Sequence, residues 1–230
     1  MVKSVADTRM IIELETTMEE KDLGIIIDQS LKFEHHIDIS VKKANKIMGL
    51  IGRTFNCLDP STFRALFTAL VRPIVEYGHA VWNPYHKGAI RKIESVQRNA
   101  TKMVNGLKDT PYIDRLRTIN LPTLRFRRMR GDMIETYKII NGLYDRTSAP
   151  VLDRAQRSSR GHQFKLFQRR TNRLDIRKNF FTNRIVGLWN ALPTEVVNAN
   201  SLNSFKNRLD KSWRNHPMKF DVEYDAEISD

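Results

Sequence analysis

Cysteine is almost absent from this chain. Cys57 is the single one among 230 residues, so an intrachain disulfide is impossible and no disulfide-linked partner is expected. It reads as a small buried hydrophobe. No run of 18 apolar residues occurs, which argues against a membrane-spanning helix. The N-terminus lacks a basic stretch followed by an apolar run, so no secretory signal is expected and the chain reads as intracellular. Histidines are few and badly placed for metal. His35 and His36 are adjacent and diverge, while His79, His86, His162 and His216 have no cysteine or second histidine at ligand spacing. There is no glycine-rich phosphate loop, no nucleophile–base pair and no internal repeat. Catalysis by this chain is not expected.

Basic charge is abundant, and it is concentrated. The net charge is +13. Residues 1–40 carry 4 basic and 9 acidic side chains, residues 41–190 carry 30 and 10, and residues 191–230 carry 5 and 7. A strongly positive body thus lies between acidic ends. Phosphate backbones are the common intracellular partners of such a field. A basic face that only keeps the protein soluble is the plainer alternative.

Periodicity points to a mostly α fold. Residues 9–17 and 22–28 are short β-rich runs around the charged stretch MEEK, and they read as an N-terminal β-hairpin. Ile37, Val41, Ala44, Met48, Ile51 and Phe55 then step by three and four, which predicts a long helix. Asp59-Pro60-Ser61 breaks it and starts another. Pro73 either opens a further helix or kinks a continuous one. Residues 87–104 show one apolar face, with Arg91, Lys92, Arg98 and Lys102 on the other. Phe126, Met129, Met133, Tyr137 and Ile140 predict a helix ending before Asn141-Gly142. Residues 143–179 have little periodicity and read as extended, with short strands at 163–168. Two closing helices follow, around Ile185 and around Phe205. The tail after His216 holds five acidic residues and is expected to be disordered.

Two basic constellations stand out. In LRFRRMRGD, Arg125, Arg127, Arg128 and Arg130 fall at about 0°, 200°, 300° and 140° around a helix, so they cannot share one face. They grip phosphate, or they pair with carboxylates such as Asp132 and Glu135. In residues 154–184, ten basic side chains face one acid, Asp175, with Phe164, Phe167, Phe180 and Phe181 interleaved. Arginines there would supply sequence-blind affinity and aromatics could stack on bases, although Phe180 and Phe181 read better as core. Within RGHQFKL, Arg160, His162 and Lys165 could converge on a phosphate beside Gly161. Arg72 and Glu76 are placed to pair along one helix. Tyr77, Trp82 and Tyr85 read as core or interface.

A sharper signal comes from ordered motifs. KDLGIIID (21–28), LVRPIVEYGHAVWNPY (70–85), VQRNATK (96–102), LRFRRMRGDMIETYKIINGL (124–143), RGHQFKL (160–166) and LWNALP (188–193) occur in this order. Together they resemble the region after the palm in reverse transcriptases of jockey-like, LINE-type non-LTR retrotransposons, from about residue 9 to Trp213. The resemblance implies an RNA-directed DNA polymerase whose catalytic aspartates, in a Tyr/Phe-Xaa-Asp-Asp turn, bind two divalent metals. This chain contains no Asp-Asp pair. It is expected to be inactive alone and to need no cofactor, with magnesium belonging to a palm upstream. The resemblance implies four parts: a palm-proximal hairpin (1–34), a thumb-like helical bundle (35–145), an irregular basic extension with two closing helices (146–215) and an acidic tail (216–230). The implied partners are the palm and an RNA–DNA primer–template duplex, in cytoplasm or nucleus. The implied contacts are Arg72, Arg98, Lys102, Arg127, Arg128, Arg130, Arg160, His162, Lys165 and Arg177. A stand-alone RNA- or DNA-binding protein and a protein-interaction remnant remain as alternatives.

Overall fold

The computed structural model describes residues 16–145, 147, 149–155, 161–168 and 175–224. It is mostly helical, with a short antiparallel hairpin at its N-terminal side. The hairpin differs in register from the expectation. Strand β1 is Glu19–Asp22 and β2 is Ile25–Asp28, with Glu19 opposite Asp28 and Asp22 opposite Ile25. The last three residues of MEEK, expected as a turn, lie in the first strand. The turn falls at Leu23-Gly24, both at positive φ, where glycine carries no steric cost. Most of the run 9–17 lies outside the described residues. A two-stranded hairpin is marginal alone, and this one leans on the helices. Ile25 is buried, the Ile26 amide donates to His36 Nδ1 at 3.3 Å, and the Tyr77 hydroxyl donates to the Leu23 carbonyl at 2.9 Å.

Asp28 turns the chain into α1 (Glu34–Thr54) by accepting from the Phe33 amide at 2.6 Å. Burial raises its pKa, but bonds from Ser30, Phe33 and Lys32 outweigh that and hold it below the ordinary value. The predicted stripe of α1 is buried from Ile37 through Ile51. Asp59 caps α2 (Pro60–Leu66), accepting from the Ser61 amide at 2.8 Å and the Thr62 amide at 3.1 Å. Cys57, expected inside, is exposed in the α1–α2 link, and Leu58 takes the buried place.

The Pro73 question resolves into a widened turn. A π-turn at Phe67–Val71 joins α2 to α3 (Arg72–Glu76), and the Arg72 amide donates to Phe67, five residues back. The longer reach keeps the rod continuous ahead of a residue that cannot donate. Helices α4 (His79–Trp82), α5 (Lys87–Ala100), α6 (Tyr112–Ile119) and α7 (Leu124–Ile140) follow. Helix α7 stops as its sequence predicts. Gly142 takes φ 66°, and Leu143 and Gly142 donate back to Lys138 and Ile139, which satisfies the last carbonyls.

Two cores share α7. The first gathers α1, the α2–α3 rod, Trp82, α5 and α6 around Ala44, Phe67, Ile93 and Leu116. The second packs Met133 and Tyr137 of α7 against α9 (Phe181–Asn190) and α11 (Leu202–Ser212), through Ile185, Trp189, Phe205 and Leu209. Tyr137 stacks on Phe205 with centroids 4.4 Å apart, and its hydroxyl donates to the Ala199 carbonyl. Short helices α8 (Asp175–Asn179) and α10 (Thr194–Val197) fill the connections.

The expected strands at 163–168 reduce to one bridge, Arg154 with Leu166. That strap is fastened by two of the sequence motifs. Asn190 bonds both the amide and the carbonyl of Leu166, and the Trp189 indole donates to the Phe164 carbonyl at 2.8 Å. The tail also departs from expectation through Tyr224; residues 225–230 lie outside the described residues. Met218 and Val222 are buried, and the amide and hydroxyl of Thr123 donate to the carbonyls of Lys219 and Met218. Two apolar residues and a set of backbone acceptors are enough to dock an otherwise acidic segment beside the start of α7. No helix among the described residues is long and apolar enough to cross a membrane.

Candidate nucleic-acid interface

The four arginines of α7 have four different environments. Arg125 donates to the carbonyls of Val222 and Tyr224. Arg127 makes a bidentate pair with Glu76, both bonds at 3.0 Å. Arg130 makes another with Asp210 of α11, reaching Oδ2 at 2.8 Å. Arg128 is 1% exposed, and its Nε donates to Asn83 Oδ1 at 3.0 Å.

Arg128 lies in a buried polar network. Burial pushes its pKa down to about 10 although Glu94, Glu76 and Asp132 oppose that. Glu94, fully buried on α5, accepts from the Leu124 amide at 3.0 Å and from the Tyr112 hydroxyl at 2.6 Å. A carboxylate here meets the unpaired amides and positive dipole end of α7. Burial nevertheless raises its pKa, against the lowering by Tyr112, Arg128 and the backbone. Further along, Asp132 accepts from Arg184 of α9 through both carboxylate oxygens at 2.9 Å. Arg184 also donates to the Ala80 carbonyl at 2.9 Å. The Arg184–Asp132 pair therefore ties α4, α7 and α9 together. His79 crosses α7 at Gly131, where a Cβ would come within 2.4 Å of its Nε2.

The outer arginines open into a groove of about 400 Å³, lined among others by Arg64, Arg72, Arg127, Arg130 and Lys219. Glu76 and Asp210 hold Arg127 and Arg130 in fixed orientations, yet among the described residues neither guanidinium Nη1 carries a hydrogen bond. Arg72 is 3.8 Å from Glu76, longer than the Arg127 contact, so Glu76 serves Arg127 first. The Arg72 pKa is lowered by burial and then by the neighbouring positive charge of Arg127, with Arg64 and Arg130 adding to it. Burial is the largest cause and Glu76 opposes the cations, so the crowding is one part of the shift, and an anion in the groove would offset that part.

The remaining predicted contacts scatter. Arg98, Lys102 and Arg177 are exposed, on α5, just after it and on α8 respectively. Arg98 lies over the Tyr112 ring at 5.0 Å. His162 is 1% exposed and donates through Nε2 to the Trp189 carbonyl at 3.0 Å, so it faces the core instead of a surface phosphate. Lys165 is half-buried and folds over Gly161. Arg160 lies outside the described residues. Two groove residues escaped the sequence reading. Arg64 stands four and eight residues before Thr68 and Arg72, a helical stripe that was there to be seen. Lys219 comes from the segment expected to be disordered, and no local pattern connects it to α7. Among the described residues, no group of three His, Cys, Asp or Glu side chains is placed to hold a metal ion.

Comparison with known proteins adds a distant likeness. An uncharacterized protein of Caenorhabditis elegans is 27% identical over 126 residues, covering 54% of this chain and 64% of the relative. The chain thus spans under two thirds of that relative's length. No protein-family model matches, and no solved structure does.

Proposed function

We propose that this chain is the thumb and C-terminal extension of a non-LTR retrotransposon reverse transcriptase, an intracellular part that grips the backbone of a primer–template duplex. Its role is positioning, with affinity drawn from phosphates and little sequence readout. Catalysis and magnesium belong to a palm that carries the aspartates.

One observation carries the reading. Arg72 of LVRPIVEYGHAVWNPY and Arg127 and Arg130 of LRFRRMRGDMIETYKIINGL line the same basic groove, although 38 residues lie between the two motifs. Arg98, Lys102 and Arg177 are exposed but lie outside the groove lining, on α5, just after it and on α8. The ordered motifs supply the enzyme class, and the groove supplies a place for phosphate.

A second reading, as a protein-interaction surface, has its own support. A cavity of about 880 Å³ opens between the hairpin, α4, α7 and α9, with almost entirely apolar walls including Ile27, Val81, Ile139 and Phe180. Under the thumb reading, an upstream palm would cover it.

The test is fluorescence anisotropy of a labelled RNA–DNA primer–template across a salt series. The thumb reading expects binding that weakens steeply with salt and is alike for unrelated sequences. Arg72→Ala should lower the log–log slope by about one. Absence of binding at low salt rejects the proposal and leaves the interaction reading.

A further inference from the structure

A duplex backbone would lay only phosphates against this groove, which has room for more than a phosphate. The groove between the α2–α3 rod, α7 and α11 is concave, with a volume of about 400 Å³. That lies near the lower end of the range for small-ligand pockets, about 300–1,000 Å³. Its walls differ in chemistry. Arg64, Arg72, Arg127, Arg130 and Lys219 line it with positive charge, while Trp213 and Phe126 line it with aromatic surface. Trp213 is half-buried and braced edge-on by Phe126, centroids 5.9 Å apart. Asp210, also in the lining, is occupied by Arg130, and Glu76 by Arg127. Five cations against these two carboxylates leave a local excess of three positive charges.

We infer that this groove binds one unpaired nucleotide, with its phosphate among Arg64, Arg72 and the Nη1 groups of Arg127 and Arg130, and its base against Trp213. The chemistry has two components, each with its own recognition element. Arginine forks suit phosphate oxygens, and an indole face accepts any base without reading its edges. Paired bases are already stacked and cannot present a face, so the pocket discriminates single strand from duplex. Arg64, a cation of the groove lining, is exposed and its side chain is without a hydrogen bond among the described residues. The inference rests on the nucleic-acid reading for the class of ligand, and it adds strandedness, which that reading does not contain.

The experiment is a tryptophan-fluorescence titration of the full chain with three probes: uridine 5′-monophosphate, a short oligouridine and a blunt RNA–DNA duplex. Trp82 and Trp189 are buried, so quenching reports on Trp213. Saturable quenching by oligouridine and none by the duplex is the expected result. Trp213→Leu should remove the quench and weaken oligouridine binding about tenfold, the scale of one base–aromatic stack, with duplex affinity unchanged. Because Trp213 also packs on Phe126, Arg64→Ala serves as the second variant, with a loss of about fivefold for oligouridine expected from one phosphate contact. Quenching by the mononucleotide as well assigns a free-nucleotide pocket; quenching by oligouridine alone assigns a nucleotide within a strand. Oligouridine binding without quenching, or unchanged in both variants, overturns the pocket and leaves the duplex grip standing. Quenching by oligouridine with no duplex binding at any salt upholds the pocket and rejects the thumb.

Discussion

The two sides of α7 use the same residue type for opposite purposes. On the inner side, Arg128 is sealed beside Glu94 and Asn83, and Asp132 one turn later is locked to Arg184. On the outer side, Arg127 and Arg130 are each held by one carboxylate and both line the groove. Inside, charge organises the fold, and every anion is committed. Outside, cations exceed anions, and the imbalance is what a ligand can use. The lesson is that an arginine-rich helix is not by itself an interface. What matters is whether the partners supplied by the rest of the chain exhaust its charge.

The sharpest way to break this contrast is to remove an inner anion. Asp132→Ala leaves Arg184 without its carboxylate and takes away the acceptor of the Asn83 amide, and breaking a buried pair typically costs about 3–5 kcal/mol. Urea unfolding should show that loss, and an effect below about 1 kcal/mol would mean the inner side is no lock. Gly131→Ala should come next. The new Cβ meets the His79 ring and must displace it from its bond to the Glu76 carbonyl. Overpacking of this kind costs about 1–3 kcal/mol, measurable as a lowered melting temperature.

Glu94 tests the same side through pH. Burial holds its folded-state pKa above the ordinary value. The unfolded chain therefore releases this proton first as pH rises. Between the two pKa values the native state binds more protons, so this group's contribution to stability falls with rising pH and is largest in acid. Glu94→Gln should flatten that slope over the range above about pH 4.5, read from unfolding free energies at several pH values. An unchanged slope would place the carboxylate's pKa at its ordinary value.

The smallest stability effect belongs to the outer side. Arg64→Ala removes an exposed side chain with no hydrogen bond among the described residues, so unfolding should shift by no more than about 0.5 kcal/mol. Nucleic-acid affinity should still drop, and the salt slope should fall by about one. A variant that loses stability without losing binding would erase the distinction between the two sides.

Much of the local structure was legible in the sequence. Asp59-Pro60 announced a capped start, Asn141-Gly142 a stop, and the stripe from Ile37 to Ile51 a buried face; each depends on neighbours within a turn or two. The hairpin was readable as an element but not in register, because MEEK is charged on both faces and carries no alternation to fix one. The tail misled through composition. Five acids suggested disorder, whereas Met218 and Val222 reach a docking site formed about 95 residues away, beside Thr123.

The sequence by itself determined the mostly helical class, the caps, the positive body and the ordered motifs, since all of these are local or additive properties of the chain. Which arginine of LRFRRMR faces inward was decided only by tertiary structure. Helical geometry separates the four by angle, but their partners lie on α3, α5, α11, the Asn83 turn and the tail, and packing alone brings those together. A charge's role follows from the groups within a few ångströms of it, where Coulomb energy and desolvation are largest, and those neighbours exist only once the chain has folded.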